Sequence, residues 1–391
     1  MRTRRGRNGT GAAGAAAGRN ERGAAEGHVA GGSTPARSDS RMPTAMSQDR
    51  DNGRARGRRR LRRSPAGGLL VFAVLILGIT AGVAVSRPFQ LFIQKQRTPF
   101  VLTDRAVKLR MLDKREDTPR LLVFGGSRAS RVEPARFEKL TGLPGFNLSF
   151  QNGRPEDAWA FVNLLHDQDP GTPIQVVWLL HVEAFREQGL SPGLVQDERL
   201  SHWFPSGLIA AEKKKLPQTE AELPEGTDLA LTTYGPDGVV LRNRYDIAVE
   251  KGRTLKHALA GSIDQALERY ATTSPALFPR STEYFEKTLA LLDEMGTQQV
   301  IVLTPLHPKL LAAVKDAGWG RRHSEVVAYL RRQQAKYGFS LLDFSKLSSI
   351  GGDPDAFYDG FHFKRSNARK LVDAVVARAP EAFGLPAGVR H

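Results

Sequence analysis

The chain has 391 residues, no cysteine and a formal net charge of +16; this length suits one large domain or two ordinary ones, and the lack of cysteine excludes disulfide scaffolds, thiol nucleophiles and thiolate metal sites. The charge is concentrated at one end, because residues 1–63 contain sixteen arginines and five acidic residues while the other 328 residues carry a net charge of only +5. A folded part so close to charge balance argues against a nucleic-acid-binding domain, and we expect no nucleic acid among the partners.

Residues 1–65 are rich in glycine, alanine, arginine, serine and asparagine and contain almost no large apolar side chains. Such a segment cannot bury enough apolar surface to offset the conformational entropy lost on ordering. The composition therefore predicts a disordered tail.

A long apolar segment follows the tail. In residues 66–85 Thr80 is the only polar side chain, and twenty helical residues span about 30 Å, the hydrocarbon thickness of a bilayer. A leader of 63 residues is too long for a usual cleaved signal peptide, so residues 66–86 are predicted to form an uncleaved transmembrane signal anchor. Seven arginines lie just before it and only three basic residues just after it, which by the positive-inside rule places the N-terminus in the cytoplasm. The membrane is thus an expected partner, and the expected location is the cell membrane, crossed once, with the C-terminal domain extracytoplasmic.

Residues 87–118 are predicted to be a connecting stalk with room for one short helix, and residues 119–385 a folded domain. Short apolar runs typical of buried parallel strands lie at 121–126, 173–180, 298–305 and 339–344. Apolar residues at helical spacing occur between and after them, in Pro155–Leu165, Thr282–Met295, Ser324–Tyr337 and Asn367–Ala379. This alternation predicts an α/β fold: a three-layer parallel sheet with helices on both faces. Residues 186–280, rich in proline, glycine and charge, interrupt the alternation and are predicted to be an insertion that covers the sheet.

A first polar motif follows the first predicted strand. The segment 124–130, Phe-Gly-Gly-Ser-Arg-Ala-Ser, places Ser127 at the carboxyl edge of the sheet, where open α/β folds bind their ligands. Backbone N–H groups at the start of the next segment can stabilise an oxyanion there. The alternative is that Ser127 is only a helix N-cap, which is a common role for serine after glycine.

A second polar motif precedes the last predicted helix. In the segment 357–363, Phe-Tyr-Asp-Gly-Phe-His-Phe, Asp359 and His362 are three residues apart on a turn. The carboxylate can orient one ring nitrogen while the other faces a nucleophile, which is the arrangement of serine hydrolysis.

In this order the two motifs resemble the SGNH (GDSL-type) hydrolase superfamily, which has a nucleophilic serine just after the first strand and Asp-x-x-His just before the final helix. The resemblance is closest to the membrane-anchored, cell-envelope branch that includes alginate O-acetyltransferases and the D-alanine transfer proteins of teichoic acids, in which the first motif often reads Gly-x-Ser-Arg. Residues 147–153, Asn-Leu-Ser-Phe-Gln-Asn-Gly, are similar to a second block of that branch. The resemblance covers roughly residues 119–380 without the insertion, and it implies an SGNH-like, flavodoxin-like architecture.

The resemblance also implies roles for individual residues. Ser127 corresponds to the nucleophile, His362 to the general base and Asp359 to the residue that orients it. The backbone N–H groups of Ser127 and Gly153 correspond to oxyanion donors. The family has an asparagine after the next central strand, but here that strand ends Trp-Leu-Leu-His-Val-Glu at 178–183; the missing donor is absent or is replaced by His181 or Asn152.

Further polar residues are candidates for binding substrate. His307 follows the third predicted strand at the same sheet edge, and it either lines the cleft or caps a turn. Arg128 and His181 are further candidates for substrate contact. No Walker loop, dinucleotide fingerprint or spaced histidine cluster is present, so we expect no cofactor and no metal.

Two classes of function follow from these patterns. The first is an extracytoplasmic serine esterase or O-acyltransferase that acts on an acylated cell-envelope polysaccharide, or another ester substrate, through an acyl-serine intermediate. The alternative is a non-catalytic SGNH-like domain that binds glycan or assembles envelope partners.

Overall fold

The computed structural model describes residues 102–217, 231–272 and 274–386. The predicted tail, 1–65, and the predicted signal anchor, 66–86, lie outside these residues. Within the described ranges no helix is both long and apolar enough to cross a membrane.

A five-stranded parallel sheet forms the centre of the domain, with the strand order β2-β1-β3-β6-β7. In chain order the strands are β1 (Leu121–Gly125), β2 (Gly145–Ser149), β3 (Gln175–Leu180), β4 (Thr233–Tyr234), β5 (Val240–Arg242), β6 (Val300–Leu303) and β7 (Ser340–Asp343). Strands β4 and β5 pair with each other in a separate antiparallel hairpin.

Helices cover both faces of the sheet. They are α1 (Asp104–Leu112), α2 (Pro134–Thr141), α3 (Pro155–Gln168), α4 (Pro192–Gln196), α5 (Glu198–Ser201), α6 (Ser206–Lys213), α7 (Arg244–Glu250), α8 (Leu255–Tyr270), α9 (Pro279–Glu294), α10 (Pro308–Val314), α11 (Gly320–Tyr337) and α12 (Arg365–Arg378). Alternate strand residues point to opposite faces: Leu122 and Phe124 share a buried cluster with α1, α3, α9 and α11, whereas Leu121 and Val123 pack with α2 and α12. The predicted parallel α/β sheet with helices on both faces is confirmed.

Strand β2 was not predicted from the sequence, because its segment, Gly-Phe-Asn-Leu-Ser, lacks a continuous apolar run. All five residues are nevertheless buried. The side-chain amide of Asn147 donates to the carbonyl oxygens of Ala129 and Val132, at 3.0 and 2.8 Å. A polar side chain satisfied in this way can be buried at little cost, so β2 can lie at the edge of the sheet beside β1.

Helix α1 belongs to the folded domain, whereas the sequence predicts a connecting stalk for its residues. Arg105 forms a two-pronged ion pair with Asp157 of α3, at 2.8 and 2.9 Å. The Nζ of Lys108 donates to the carbonyl oxygen of Ser149 at 2.6 Å, and Leu109 is buried in the core. The boundary predicted at residue 119 is therefore corrected to lie at or before Asp104.

The described parts of the predicted insertion, 186–280, fold into helices α4–α8 and the β4–β5 hairpin. The hairpin is tied to the sheet edge by backbone hydrogen bonds: the N–H of Val240 donates to Ser130 O at 2.9 Å, and the N–H of Asn147 donates to Asp237 O at 2.8 Å. This part of the insertion is therefore fixed directly beside the segment that carries Ser127.

Candidate active site

Ser127 lies immediately beyond the carboxyl end of β1, in a single 3₁₀ turn that spans Ser127–Ala129. The N-cap of this turn is Gly126, so the alternative that Ser127 serves as the cap does not fit the geometry. The Oγ of Ser127 instead lies 2.9 Å from the Nε2 of His362. Gly125 has a φ of +158° and abuts Leu179 of β3, where a Cβ would lie 2.6 Å from the carbonyl oxygen; this close approach favours glycine.

The loop before α12 brings Asp359 and His362 together. An isolated bridge between Phe357 and Phe363 closes the loop. The Oδ2 of Asp359 lies 2.9 Å from the Nδ1 of His362, and its Oδ1 accepts the backbone N–H groups of Phe361 and His362 at 2.7 and 2.8 Å. Burial alone raises the pKa of Asp359, but the neighbouring His362 and these hydrogen bonds outweigh it and hold that pKa below its usual value.

The two hydrogen bonds of His362 define its tautomer. A carboxylate can only accept, so Nδ1 carries the proton that it donates to Asp359. In the neutral ring Nε2 then carries a lone pair, to which the hydroxyl of Ser127, with its oxygen 2.9 Å away, can donate. Ser127, His362 and Asp359 are thus connected in the order hydroxyl, imidazole and carboxylate, which is the order of the groups in a serine-hydrolase triad.

A polar cavity of about 770 Å³ opens at this arrangement, and Ser127, Asp359 and His362 all line it. Its walls contain five arginines and two carboxylates: Arg128, Arg186, Arg244, Arg253, Arg269, Glu183 and Asp359. Both carboxylates already accept hydrogen bonds from neighbouring side chains. The cavity is therefore positively charged on balance, which favours anionic ligands.

The structure corrects one predicted oxyanion donor. The N–H of Gly153 donates to the carbonyl oxygen of Phe150 at 3.0 Å, so it does not point an unused proton at the cavity. The N–H of Ser127 is at the first position of its turn, where helical geometry provides no acceptor. Asn152 lines the same cavity, and its φ of +52° is the single positive value for a non-glycine residue in the described chain. Ser127 and Asn152 thus remain candidate donors.

His181 lines the cavity beside the 3₁₀ turn that begins at Ser127. A Cβ added to Gly126 would lie 3.0 Å from the Nε2 of His181. Its Nδ1 lies 2.8 Å from the Oε2 of Glu183. Burial, together with the charge of Arg128, lowers the pKa of His181. In the neutral ring the proton is on Nδ1, toward Glu183, and Nε2 carries a lone pair. His181 in this state offers the cavity an acceptor, and it does not replace the missing asparagine as an oxyanion donor.

Glu183 is a buried centre of polar contacts at the end of β3. It also accepts the hydroxyl of Tyr270 and forms an ion pair with Arg128 at 3.4 Å. Burial raises the pKa of Glu183, but Arg128 and the other partners outweigh it and hold that pKa well below its usual value. Arg128 also lies over the ring of Phe361, 5.0 Å from the centroid, so it contributes to the wall of the cavity while being held by protein partners.

His307 does not line this cavity. It is 4% exposed, its Nδ1 accepts the backbone N–H of Lys309 at 3.1 Å, and its ring packs edge-on against Phe357. Its position is the N-cap of α10, so the structure supports the capping role for His307.

In the described ranges no group of three or more metal-binding side chains converges.

Two residues at the site were missed by the sequence analysis. The hydroxyl of Tyr245 lies 3.2 Å from the Nε2 of His362, and Arg131 anchors the segment that carries Tyr245. Both residues depend on contacts between segments more than one hundred positions apart in sequence, and neither belongs to a motif. No signal in a single sequence identifies them.

Compared with known proteins, the chain matches no family model. A search of curated proteins also gives no significant sequence match.

Proposed function

We propose that this protein is a serine esterase or O-acyltransferase with an SGNH-like domain, acting through an acyl-Ser127 intermediate. The observation that carries the proposal is the continuous chain of contacts from Ser127 Oγ to His362 Nε2 at 2.9 Å and from His362 Nδ1 to Asp359 Oδ2 at 2.9 Å. A serine that only caps a helix, or a histidine that only packs in the core, needs no such series of contacts. The side chains of Ser127, Asp359 and His362 also all line one cavity.

The proposed reaction has two steps. Ser127 Oγ attacks the ester carbonyl while His362 Nε2 takes the serine proton and passes it to the departing alkoxide, which leaves as an alcohol. The N–H of Ser127 stabilises the oxyanion that forms. In the second step a hydroxyl compound gives its proton to His362 and attacks the acyl carbon. The bond between the acyl carbon and Ser127 Oγ breaks, and Oγ takes the proton back from His362.

The substrate class follows from the resemblance and from the cavity together. The membrane-anchored, cell-envelope branch implies an acylated polysaccharide outside the cell membrane. A cavity with more arginines than carboxylates favours substrates with negative charge near the ester. For such a substrate, KM should rise with ionic strength, while KM for p-nitrophenyl acetate should change little.

The proposal is tested by labelling the detergent-solubilised full-length chain with a fluorophosphonate. We expect covalent modification at Ser127. Ser127→Ala should abolish labelling, whereas Ser130→Ala, the same change three residues further along the chain, should retain it. Absence of label in the native chain, or label on another residue, would rule out the acyl-serine mechanism.

A non-catalytic glycan-binding role is the second candidate, and one observation favours it. The family's asparagine is missing, and the N–H of Gly153 is already bonded to Phe150, so few oxyanion donors remain. Loss of one such donor costs about 10²–10³-fold in rate. An unlabelled chain that still binds acylated polysaccharide would favour this candidate.

A further inference from the structure

Two hydroxyl groups compete for one lone pair at the base. The Nε2 of His362 lies 2.9 Å from Ser127 Oγ and 3.2 Å from the hydroxyl oxygen of Tyr245. In the neutral ring, whose Nδ1 donates to Asp359, both hydroxyls can act only as donors to Nε2. The rings of Tyr245 and His362 also pack together, with centroids 4.4 Å apart and planes 30° apart, so Tyr245 covers one side of the base.

The main chain that carries Tyr245 is held rigidly. Tyr245 is in the first turn of α7, whose N-terminus has a capping box formed by Asn243 and Asp246. The guanidinium of Arg131 donates to Asn243 Oδ1 at 3.1 Å and forms an ion pair with Asp246, and it also donates to the carbonyl oxygens of Val240 and Leu241.

A second anchor comes from the loop of the base. The hydroxyl of Tyr358, the residue before Asp359, donates to Asp246 Oδ1 at 2.5 Å. Arg131 is four positions after Ser127, so the N-terminus of α7 is tied both to the nucleophile segment and to the loop of the base. The position of the Tyr245 hydroxyl is therefore set by the same elements that set the triad.

Acylation changes this competition. Once Ser127 Oγ is an ester oxygen it has no proton to donate, and among the described side chains Tyr245 is then the one hydroxyl left at hydrogen-bond distance from Nε2. An attacking hydroxyl must donate to this same lone pair. Tyr245 therefore occupies the position that the second-step nucleophile needs.

We infer that Tyr245 is a specificity-determining residue that protects the acyl-enzyme from water and favours transfer to the hydroxyl of a bound acceptor. This inference rests on the proposed function. A water molecule has no second group that binds elsewhere in the cavity, whereas a larger acceptor has further contacts that help its hydroxyl to displace Tyr245. When the acceptor displaces the Tyr245 hydroxyl from Nε2, the bonds made and broken in the second step are those described above, because Tyr245 itself neither gains nor loses a proton.

The test is pre-steady-state and steady-state hydrolysis of excess p-nitrophenyl acetate by the full-length chain and by Tyr245→Phe. The burst reports acylation, and the slow phase reports hydrolysis of the acyl-enzyme. The phenol oxygen of Tyr245 also accepts a hydrogen bond from Arg244 Nη2 at 3.1 Å, which the variant loses as well. Removing the neutral hydrogen bond to Nε2 should speed hydrolysis of the acyl-enzyme roughly 2- to 12-fold while the burst rate changes little. Tyr284→Phe, the same change at a buried tyrosine of α9 outside this cavity, serves as the control and should match the native chain.

The outcomes separate the inference from the proposed function. A burst with faster hydrolysis in Tyr245→Phe supports the inference. A burst with unchanged or slower hydrolysis overturns it and leaves the acyl-serine mechanism intact. No burst in the native chain, together with no fluorophosphonate label on Ser127, overturns both.

Discussion

At the scale of single residues, the candidate site depends on side chains whose protons are directed by their neighbours. Asp359 Oδ1 accepts two backbone N–H groups, which leaves Oδ2 aimed at His362. The carboxylate is therefore fixed before it orients the ring, and the ring in turn presents a lone pair to Ser127.

Asp359→Asn tests this orientation. Its Oδ1 can still accept both backbone N–H groups, so we expect the melting temperature to change little. Its amide would donate to Nδ1 and leave the proton of His362 on Nε2, facing Ser127. Ester turnover should fall about 10⁴-fold, measured with p-nitrophenyl acetate alongside thermal unfolding. Asp355→Asn, at an exposed position of the same loop, is the control; equal loss in both variants would contradict the role of Asp359.

Lys108 provides a test based on pH. It is 1% exposed, and burial, partly offset by Asp104, lowers its pKa from 10.5 to about 7. Between these values the unfolded chain binds a proton at this position and the native chain does not, so the lysine's contribution to the free energy of unfolding rises with pH. That contribution is lost as the pH falls from about 10 toward 7.

The expected result is a pH-dependent difference between the native chain and Lys108→Met. The stability of the native chain relative to the variant should be lower at pH 7 than at pH 9.5, as measured by urea unfolding. The hydrogen bonds that the variant loses change its free energy of unfolding equally at both pH values, so their effect cancels in this comparison. Lys139→Met, at an exposed lysine, should show no such trend, and a flat difference for Lys108→Met would contradict the assignment.

Residue types and order were enough to predict Ser127, Asp359 and His362 as partners. They were not enough for His307, because a histidine after a strand at the same sheet edge has the same sequence context whether it caps a helix or contacts a ligand. Tyr245 escaped prediction for another reason. Its partner His362 is 117 positions away, and it lies in a segment without regular spacing.

At the scale of elements, the site is formed where loops pack against the carboxyl ends of the strands. Apolar runs predicted β1, β3, β6 and β7. Strands β1, β3 and β6 are buried on both faces, where strands read as continuous apolar sequence, whereas β7 is a partly exposed edge strand. Strand β2 is stabilised instead by its pairing with β1 and by the hydrogen bonds of Asn147. Those contacts come from distant segments and have no local signature.

The loop after β2 packs tightly on the end of β1. A Cβ on Gly153 would overlap the carbonyl oxygen of Gly125, two residues before Ser127. Gly153→Ala should therefore displace the turn that carries Ser127, lower the melting temperature and reduce ester turnover. Gly207→Ala, at a position in α6 with no atom within 4 Å of the new Cβ, should be neutral or slightly stabilising. Native turnover in Gly153→Ala would show that the turn does not depend on this contact.

At the scale of the whole molecule, the apolar segment at residues 66–85 and the charges beside it predict the membrane topology. The arginines before residue 66 and the uncharged span after them predict that the folded domain is outside the membrane. A reporter enzyme that is active only after export, fused after His391, should be active. Neutral replacements of the seven arginines between 54 and 63 should reduce the correctly oriented fraction. Activity of a cytoplasm-dependent reporter at the same position would reverse this topology.

The distance along the chain between the members of the triad has a consequence for protein synthesis. Ser127 and His362 are 235 positions apart, and β6, β7 and the loop of the base are all made after the β2-β1-β3 half of the sheet. A growing chain thus contains its serine long before it contains the histidine. Until nearly the whole domain has been synthesised, Ser127 lacks His362 as a partner. Under the proposed mechanism, partly made or truncated chains therefore have a serine without its base.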